Sequence, residues 1–397
     1  MRILLLSFYY PPDIGPGSLR AKSIVDALRV VSQLSDVTNL SVDVLTTLPH
    51  RYRSLTANAL EFEQEGNVTV RRLSLPKHRS GMADQSWAFI FYALAIQRHV
   101  NGEVYDVVIA TSGRLLTASL AAWVAHKSGA KLYLDIRDLF TDTLRDCLAK
   151  IPARMVLPGL LWLENWTFRK ADRINLVSEG FLPHLQAIVP EIKLSVLTNG
   201  IDNEFLISDF SSECVNETPM VLYAGNMGEG QGLHHIIPVV AKSFEGKVNF
   251  ELIGDGGRKA ALINALTLSG ASNVGVLDPV PRENLIPKYR EADVLFLHLN
   301  DYPVFRKVLP SKIFEYAATN KPILAGVGGY AADFLREQIE GVEVFSPGDS
   351  VAMEQGLKRL LSGPRIINRS AFCQRYRRDG IMRQLARDVL ALEFGRQ

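Results

Sequence analysis

The feature that most restricts what this chain can become is a rhythm that runs twice. Short apolar runs at 3–7, 42–46, 68–72, 107–110, 132–135, 173–177 and 194–197 alternate with longer segments of helical character. After a polar stretch from Ser208 to Pro219 the rhythm restarts, with runs at 221–224, 249–253, 273–276, 294–298, 323–326 and 342–345. Strands that alternate with helices build parallel sheets covered on both faces, so the expected fold class is α/β, with two Rossmann-like, doubly wound domains. At 397 residues the chain exceeds one ordinary core and suits two. The expected division is residues 1–203 plus a C-terminal helix at 372–397 for one domain and 204–371 for the other, with the connection near 203–219. Such sheets bind ligands at the carboxyl ends of their strands, and two in tandem are expected to enclose a ligand cleft.

Composition narrows the function. Hydrophobic residues make up 47% and charged residues 22%, the balance of a folded soluble protein. A net charge of +2 gives no global pull toward nucleic acid, so no nucleic-acid partner is expected and any anion site must be local. Cys147, Cys214 and Cys373 match no metal or disulfide spacing; a reducing compartment and three small core residues are the simpler inference. His234 and His235 are adjacent rather than at ligand spacing, and no Asp-x-Asp pair stands out, so metal independence and no resident cofactor are expected. The first apolar run is too short for a signal peptide, and none approaches the roughly 18 residues of a membrane span. The protein is expected in the cytoplasm or at a membrane surface. Two aromatic stretches bear on the second option: 87–96, from Trp87 to Ile96, flanked by Lys77, His78, Arg79 and Arg98, and 155–168, from Met155 to Phe168, followed by Arg169 and Lys170. Buried helix is the commoner explanation for both; aromatics beside basic residues also suit a bilayer interface.

The segment with most chemical content runs from Leu309 to Gly326. Pro310 and Ser311 open a helix in which Lys312 and Glu315 share a face, and Thr319 to Pro322 end it before a short apolar strand. The opening turn, Ser311, Lys312 and Ile313, can present backbone N–H groups and an ammonium to an anion, while Glu315 can accept from a sugar's paired hydroxyls. That combination suits a nucleoside diphosphate; the plain alternative is a solvated Lys–Glu pair. Three loops add to it. Gly15 and Gly17 lie between the first strand and first helix; Gly225, Asn226, Gly228 and Gln231 follow the first strand of the second half; Gly254 and Asp255 follow the next. Glycines there let backbone approach a phosphate, or simply allow tight strand-to-helix turns. The Gly-x-Gly-x-x-Gly pattern is absent from the first loop, which disfavours NAD. Asp135, Arg137 and Asp138 cluster at the end of an inner strand, where charges must face a cleft or pair with one another, as Arg137–Asp138 or Arg137–Asp135.

With these motifs the chain resembles the family 4 retaining glycosyltransferases, which have the two-Rossmann GT-B architecture. The resemblance implies that Glu315, matching the second of a spaced pair of glutamates, binds the nucleotide ribose; the first of the pair falls on Lys307. It implies that Gly15 and Gly17 line the cleft, that Gly254 and Asp255 flank the nucleotide, that the loop containing Pro281 reads the base, and that the last helix crosses back to the first domain. Where many relatives carry Arg and Lys this chain has Asn226 and Gln231, and where they place a His it has Arg137 or Asp138. The catalytic residues implied are therefore Arg137, Asp138 and Lys312. The subfamily likeness is to bacterial O-antigen and capsule transferases that use UDP-activated 2-acetamido sugars such as N-acetyl-L-fucosamine. The implied activity is retaining transfer from a UDP-sugar to a saccharide on a polyprenyl diphosphate, at the cytoplasmic face of the bacterial inner membrane. A GT-B UDP-sugar 2-epimerase and a non-catalytic nucleotide-sugar-binding subunit are the competing readings.

Overall fold

The computed structural model describes residues 1–13, 15–34, 39–49, 59–76, 82–147, 151–210 and 217–394. The chain forms two compact units, Met1–Asn199 with Arg378–Gln397, and Gly200–Arg377. Of the stretch expected to connect them, Asn203–Ile207 is a helix of the second unit, and 211–216, Cys214 included, lie outside the described residues.

The first unit is built on an eight-stranded sheet: β1 (Arg2–Leu6), β2 (Ser41–Thr47), β3 (Phe62–Glu65), β4 (Val68–Leu73), β5 (Val107–Ser112), β6 (Lys131–Ile136), β7 (Arg173–Leu176) and β8 (Lys193–Val196), in the order β3-β4-β2-β1-β5-β6-β7-β8. All neighbours are parallel except β3 and β4. Every residue of β5 is buried, because a parallel strand covered on both faces has no solvent side. Ile3, Leu5, Val107, Ile109 and Tyr133 share one face with the helices Pro16–Leu34 and Arg378–Phe394, through Leu28, Val31, Leu385 and Val389. Helix Leu115–Ser128 packs on β5 and β6 and is flanked by helices Met82–Val100 and Ile151–Arg169.

The second unit holds a six-stranded, wholly parallel sheet: β9 (Met220–Ala224), β10 (Asn249–Ile253), β11 (Val274–Leu277), β12 (Val294–His298), β13 (Ile323–Gly326) and β14 (Val342–Phe345), in the order β11-β10-β9-β12-β13-β14. Each of these strands lies within a residue of its sequence expectation.

Two features differ from the sequence reading. Strand β3 was not expected: Phe62-Glu63-Gln64-Glu65 is a largely exposed edge, held in antiparallel register with β4 across a turn at Gly66, whose φ of +60° suits glycine. The single C-terminal helix is two, Ser370–Arg375 and Arg378–Phe394, broken where the chain leaves one unit for the other. Phe372 and Tyr376 belong to an aromatic cluster with Phe314 and Phe334 in the second unit, whereas Leu385 and Val389 enter the core of the first. One apolar periodicity thus serves two cores. Cys373 is a half-buried free thiol packed against the core of the second unit.

Asp135, at the carboxyl end of β6, is fully buried, as is its partner Arg20 on the first helix. Nε and Nη2 of Arg20 reach the two carboxylate oxygens at 2.7 and 2.8 Å, and its remaining donors bond the carbonyls of Leu197 and Thr198 just past β8. Thr111 and Asn175 also donate to Asp135. Burial alone would push this carboxyl up; the Arg20 charge and the hydrogen bonds outweigh it and hold the group below its ordinary value. Of the two pairings that the sequence left open to Arg137, the one with Asp135 is excluded, because Asp135 is the structural partner of Arg20. Arg20→Ala leaves a buried carboxylate unmatched and is expected to destabilise the first unit by about 3–5 kcal/mol, read from urea unfolding. A loss well under 1 kcal/mol would show that the pair does not tie the first helix to β6.

Candidate active site

In the second unit the site forms where the sheet changes direction. Chain order runs outward from β9 on one side and from β12 on the other, and these neighbours pair only at Val221–Val294 and Leu222–Leu295. Beyond that they diverge, as expected at a topological switch point. The Tyr316 hydroxyl sits in the opening, accepting from the Ala224 N–H at 3.4 Å and donating to the Phe296 carbonyl at 3.2 Å. It fixes the helix Lys312–Ala318, whose Ile313, Phe314, Tyr316, Ala317 and Ala318 are buried while Lys312 and Glu315 remain half-buried.

Those two side chains go to different partners, which removes the solvated Lys–Glu pair as the explanation of the motif. A Cβ on Gly225 would lie 2.0 Å from Lys312 Nζ, so the lysine reaches across the first residue of the glycine loop, 5.8 Å from the Tyr223 ring centroid. Glu315 is directed to Arg282 Nη1 at 3.4 Å and Tyr289 OH at 3.5 Å. Arg282 also pairs with Asp202 and Glu204 and lies over the Phe205 ring, so three carboxylates share one guanidinium. The opening turn is less free than its sequence suggests. Ser311 has helical backbone angles and makes no cap bond, and the N–H groups of Ile313 and Phe314 donate to Pro310 and Ser311. Ile313 itself is a core side chain.

The two glycine loops are stitched together: Gly225 N–H to Ile253, Met227 N–H to Asp255 and Arg258 N–H to Met227, at 2.8 to 2.9 Å. A Cβ on Gly254 would fall 1.8 Å from the Gly225 carbonyl, so glycine is a packing requirement there. Gln231 Oε1 accepts from Asn226 Nδ2 at 2.7 Å and from the Gly228 N–H at 3.2 Å. The Gly228 N–H, expected to face a phosphate, is thus occupied by a side-chain oxygen of its own loop. Asp255 is exposed, accepting from Gly256, and Pro281 precedes helix Arg282–Glu291.

His298, at the end of β12, escaped the sequence reading because it continues an apolar strand. It is buried, and its Nδ1 donates to the Gln231 carbonyl at 2.7 Å while Nε2 accepts from the Gly348 N–H at 3.0 Å. This bridge needs the neutral ring, and burial, against the opposing Gln231 bond, pushes the imidazole down to about 4.

The first unit has its own site, also at a switch point, where β1 and β5 lie side by side. A cavity of about 290 Å³ is lined by residues following β1 (Ser7, Phe8, Tyr9), ending or following β5 (Thr111 to Arg114) and following β6 (Arg137, Asp138). Gly17 is buried at the start of the first helix, where a Cβ would lie 2.2 Å from Arg137 Nη1, and a Cβ on Gly113 would lie 2.5 Å from Asp138 Oδ2. Each glycine makes room for one charged side chain of the β6 turn. Gly15 immediately precedes that helix, with φ +159°. Arg114 was not singled out from sequence; no strand pattern or spacing marks it.

Comparison with known proteins gives these sites a context. Residues 27–200 match the glycosyl transferase 4-like domain, and residues 218–363 match glycosyl transferases group 1. The putative colanic acid biosynthesis glycosyl transferase WcaI of Escherichia coli K12 is 25% identical over 364 residues, covering 82% of this chain and 85% of that one. Among solved structures, Anabaena HepE in complex with UDP superposes with a TM-score of 0.68 at 15% identity, covering 98% of this chain and 100% of that one. The lipopolysaccharide outer core galactosyltransferase WaaB gives 0.63 at 13%, covering 98% and 99%. The fold is that of the GT-B enzymes, and the chain is a glycosyltransferase. Within that class the two matched domains and the likeness to WcaI support family 4.

The neutral His298 makes the second unit sensitive to acid. The unfolded chain takes up this proton near pH 6.5 and the folded one only near 4, so stability is complete above 6.5 and falls between those values. The expected loss is about 1.4 kcal/mol per pH unit across that window. His298→Phe, stacked between Phe296 and Phe345, should remove that part of the slope; an unchanged slope in urea titrations at pH 4.5 to 7 would refute it.

Proposed function

We propose that the enzyme transfers a sugar from a UDP-activated donor, with retention, to a saccharide carried on a polyprenyl diphosphate during synthesis of a bacterial surface polysaccharide. The observation that carries the reading is the Lys312 ammonium seated over Gly225 at the switch point of the second unit. Nucleotides bind at such points, and a cation held beside the departing phosphate stabilises the charge that develops there. HepE is solved with UDP and with UDP-glucose, which supports a uridine nucleotide, and the descriptions of WcaI and WaaB support a surface polysaccharide. The transferred group proposed is a 2-acetamido sugar such as N-acetyl-L-fucosamine.

In this reading Glu315 accepts from the ribose hydroxyls, with Arg282 beside it. Lys312, Ser311 and the Gly228 N–H, once Gln231 turns aside, bind the diphosphate; Gly254 and Asp255 flank it, and the loop at Pro281 contacts the base. Arg137 and Asp138 handle the acceptor sugar and its attacking hydroxyl in the pocket of the first unit. The leaving diphosphate itself takes the hydroxyl proton, so no metal is required. Lys312→Ala is expected to lower turnover at least about 100-fold, the scale of losing one charge-stabilising donor, with little change in the unfolding midpoint. Glu315→Ala is expected to weaken UDP binding in calorimetry, because the ribose loses its acceptor. Incubating donor alone and donor with lipid acceptor separates transfer from epimerisation and from binding alone. Undiminished turnover in folded Lys312→Ala would sink the assignment.

A lipid-borne acceptor calls for membrane contact, proposed here as peripheral and at the cytoplasmic face. On helix Met82–Val100, Trp87, Ile90, Phe91 and Leu94 are exposed along one stripe, with Arg98 exposed a turn further on, while Ala88, Tyr92 and Ile96 are buried. Trp162 is exposed on Ile151–Arg169. Lys77, His78 and Arg79, and the side chain of Met155, lie outside the described residues. Among those described, no helix is long and apolar enough to cross a membrane. The chain should co-sediment with phosphatidylglycerol-containing vesicles, and Trp87→Ser with Phe91→Ser should leave it in the supernatant. Sedimentation unaffected by the pair would exclude this face.

A further inference from the structure

The pocket of the first unit carries an excess of positive charge that transfer to a neutral sugar does not require. Its lining holds two guanidinium groups, Arg114 and Arg137, against one carboxylate, Asp138. Thr111 leads from the lining to the buried Asp135, whose charge is already matched by Arg20. Arg114 lies over the Phe8 ring, its Cζ 4.3 Å from the centroid, and donates through Nη2 to the Tyr9 hydroxyl at 2.7 Å. A guanidinium held on an aromatic face is fixed in place and still has N–H edges to offer, the arrangement that takes a carboxylate or phosphate through paired hydrogen bonds. Helix Leu115–Ser128 starts directly after Arg114 with no acidic residue in its first turn, so the positive end of its dipole adds to the same field. At about 290 Å³ the cavity admits a sugar ring rather than an oligosaccharide.

We propose that this pocket receives an acidic sugar of the acceptor, one bearing a carboxylate or a phosphate ester, and that Arg114 selects it. The proposal rests on the transferase reading above and deepens it by naming the chemical class of the acceptor. Arg137, placed by Gly17, supplies the second cation of the lining; Asp138, placed by Gly113, accepts from sugar hydroxyls. A neutral sugar would make only the second set of contacts.

The test titrates the full chain, in the presence of UDP, with methyl glucuronide, glucose 1-phosphate and methyl glucoside, followed by ligand-observed NMR. At least one acidic probe should bind about tenfold or more tightly than methyl glucoside, equivalent to about 1.4 kcal/mol; which of the two does so separates carboxylate from phosphate. Arg114→Gln should abolish the preference while UDP affinity, which reports an intact fold, stays unchanged. Arg114→Lys, keeping charge without the fork, should retain part of it. Equal binding of the three probes, or a preference that survives Arg114→Gln, would overturn the proposal. Failure of UDP to bind the wild-type chain would instead count against the transferase reading.

Discussion

The second unit depends on one hydroxyl placed where two strands part. Strands β9 and β12 must separate if a ligand is to reach the sheet, and separation strips the Ala224 N–H and the Phe296 carbonyl of the ladder bonds they would otherwise make. An unsatisfied buried backbone group costs on the order of 1–3 kcal/mol. Tyr316 answers both with one oxygen, and because it is itself part of the helix Lys312–Ala318, the atom that satisfies the strands also sets that helix's position. Lys312 and Glu315, one turn or less away, inherit their placement from it.

The first unit solves the same problem with charge. Its first helix is fastened to the strand ends by the buried Arg20–Asp135 pair, and Arg20 goes on to bond the carbonyls where the chain leaves the unit. A buried ion pair is weak as a source of net stability and strong as a constraint on geometry, because every donor and acceptor must be in place for it to be tolerated. Here it holds the end of β6 steady, and the next two residues but one, Arg137 and Asp138, project into the cavity from that fixed point. In both units glycines do the complementary work. Gly225, Gly17 and Gly113 leave room for Lys312, Arg137 and Asp138, and a side chain at any of them would displace the charged group.

The strands were legible because parallel strands buried on both faces appear as unbroken apolar runs, and thirteen of them at a helix-interrupted spacing admit few other folds. What sequence did not show has a common cause: each missed feature is set by what it pairs or packs with, not by its own residue pattern. Phe62-Glu63-Gln64-Glu65 is a strand only because β4 pairs with it. The break after Arg375 falls where one apolar stripe changes cores. Asp135 looked available to Arg137 because the two are neighbours, whereas its partner lies 115 residues earlier. The glycine loops and the Lys312–Glu315 turn were recognisable from local spacing, but not the engagement of Glu315 by Arg282, nor the use of His298 as a neutral strut under Gln231.

Asn226 and Gln231 then acquire a meaning that their types alone do not convey. Where the family 4 resemblance implies cations, this loop has two carboxamides bonded to one another, with Gln231 Oε1 also accepting from Gly228. An oxygen therefore already occupies a position between two N–H donors, with Lys312 across Gly225 close by. In the proposed reading, a phosphate oxygen arriving there exchanges two neutral hydrogen bonds for charge-assisted ones, which are roughly twice as strong. The loop needs no further cation to favour that exchange. It needs only that Gln231 be able to turn while its backbone stays put, and the His298 bond to the Gln231 carbonyl holds the backbone and leaves the side chain to move.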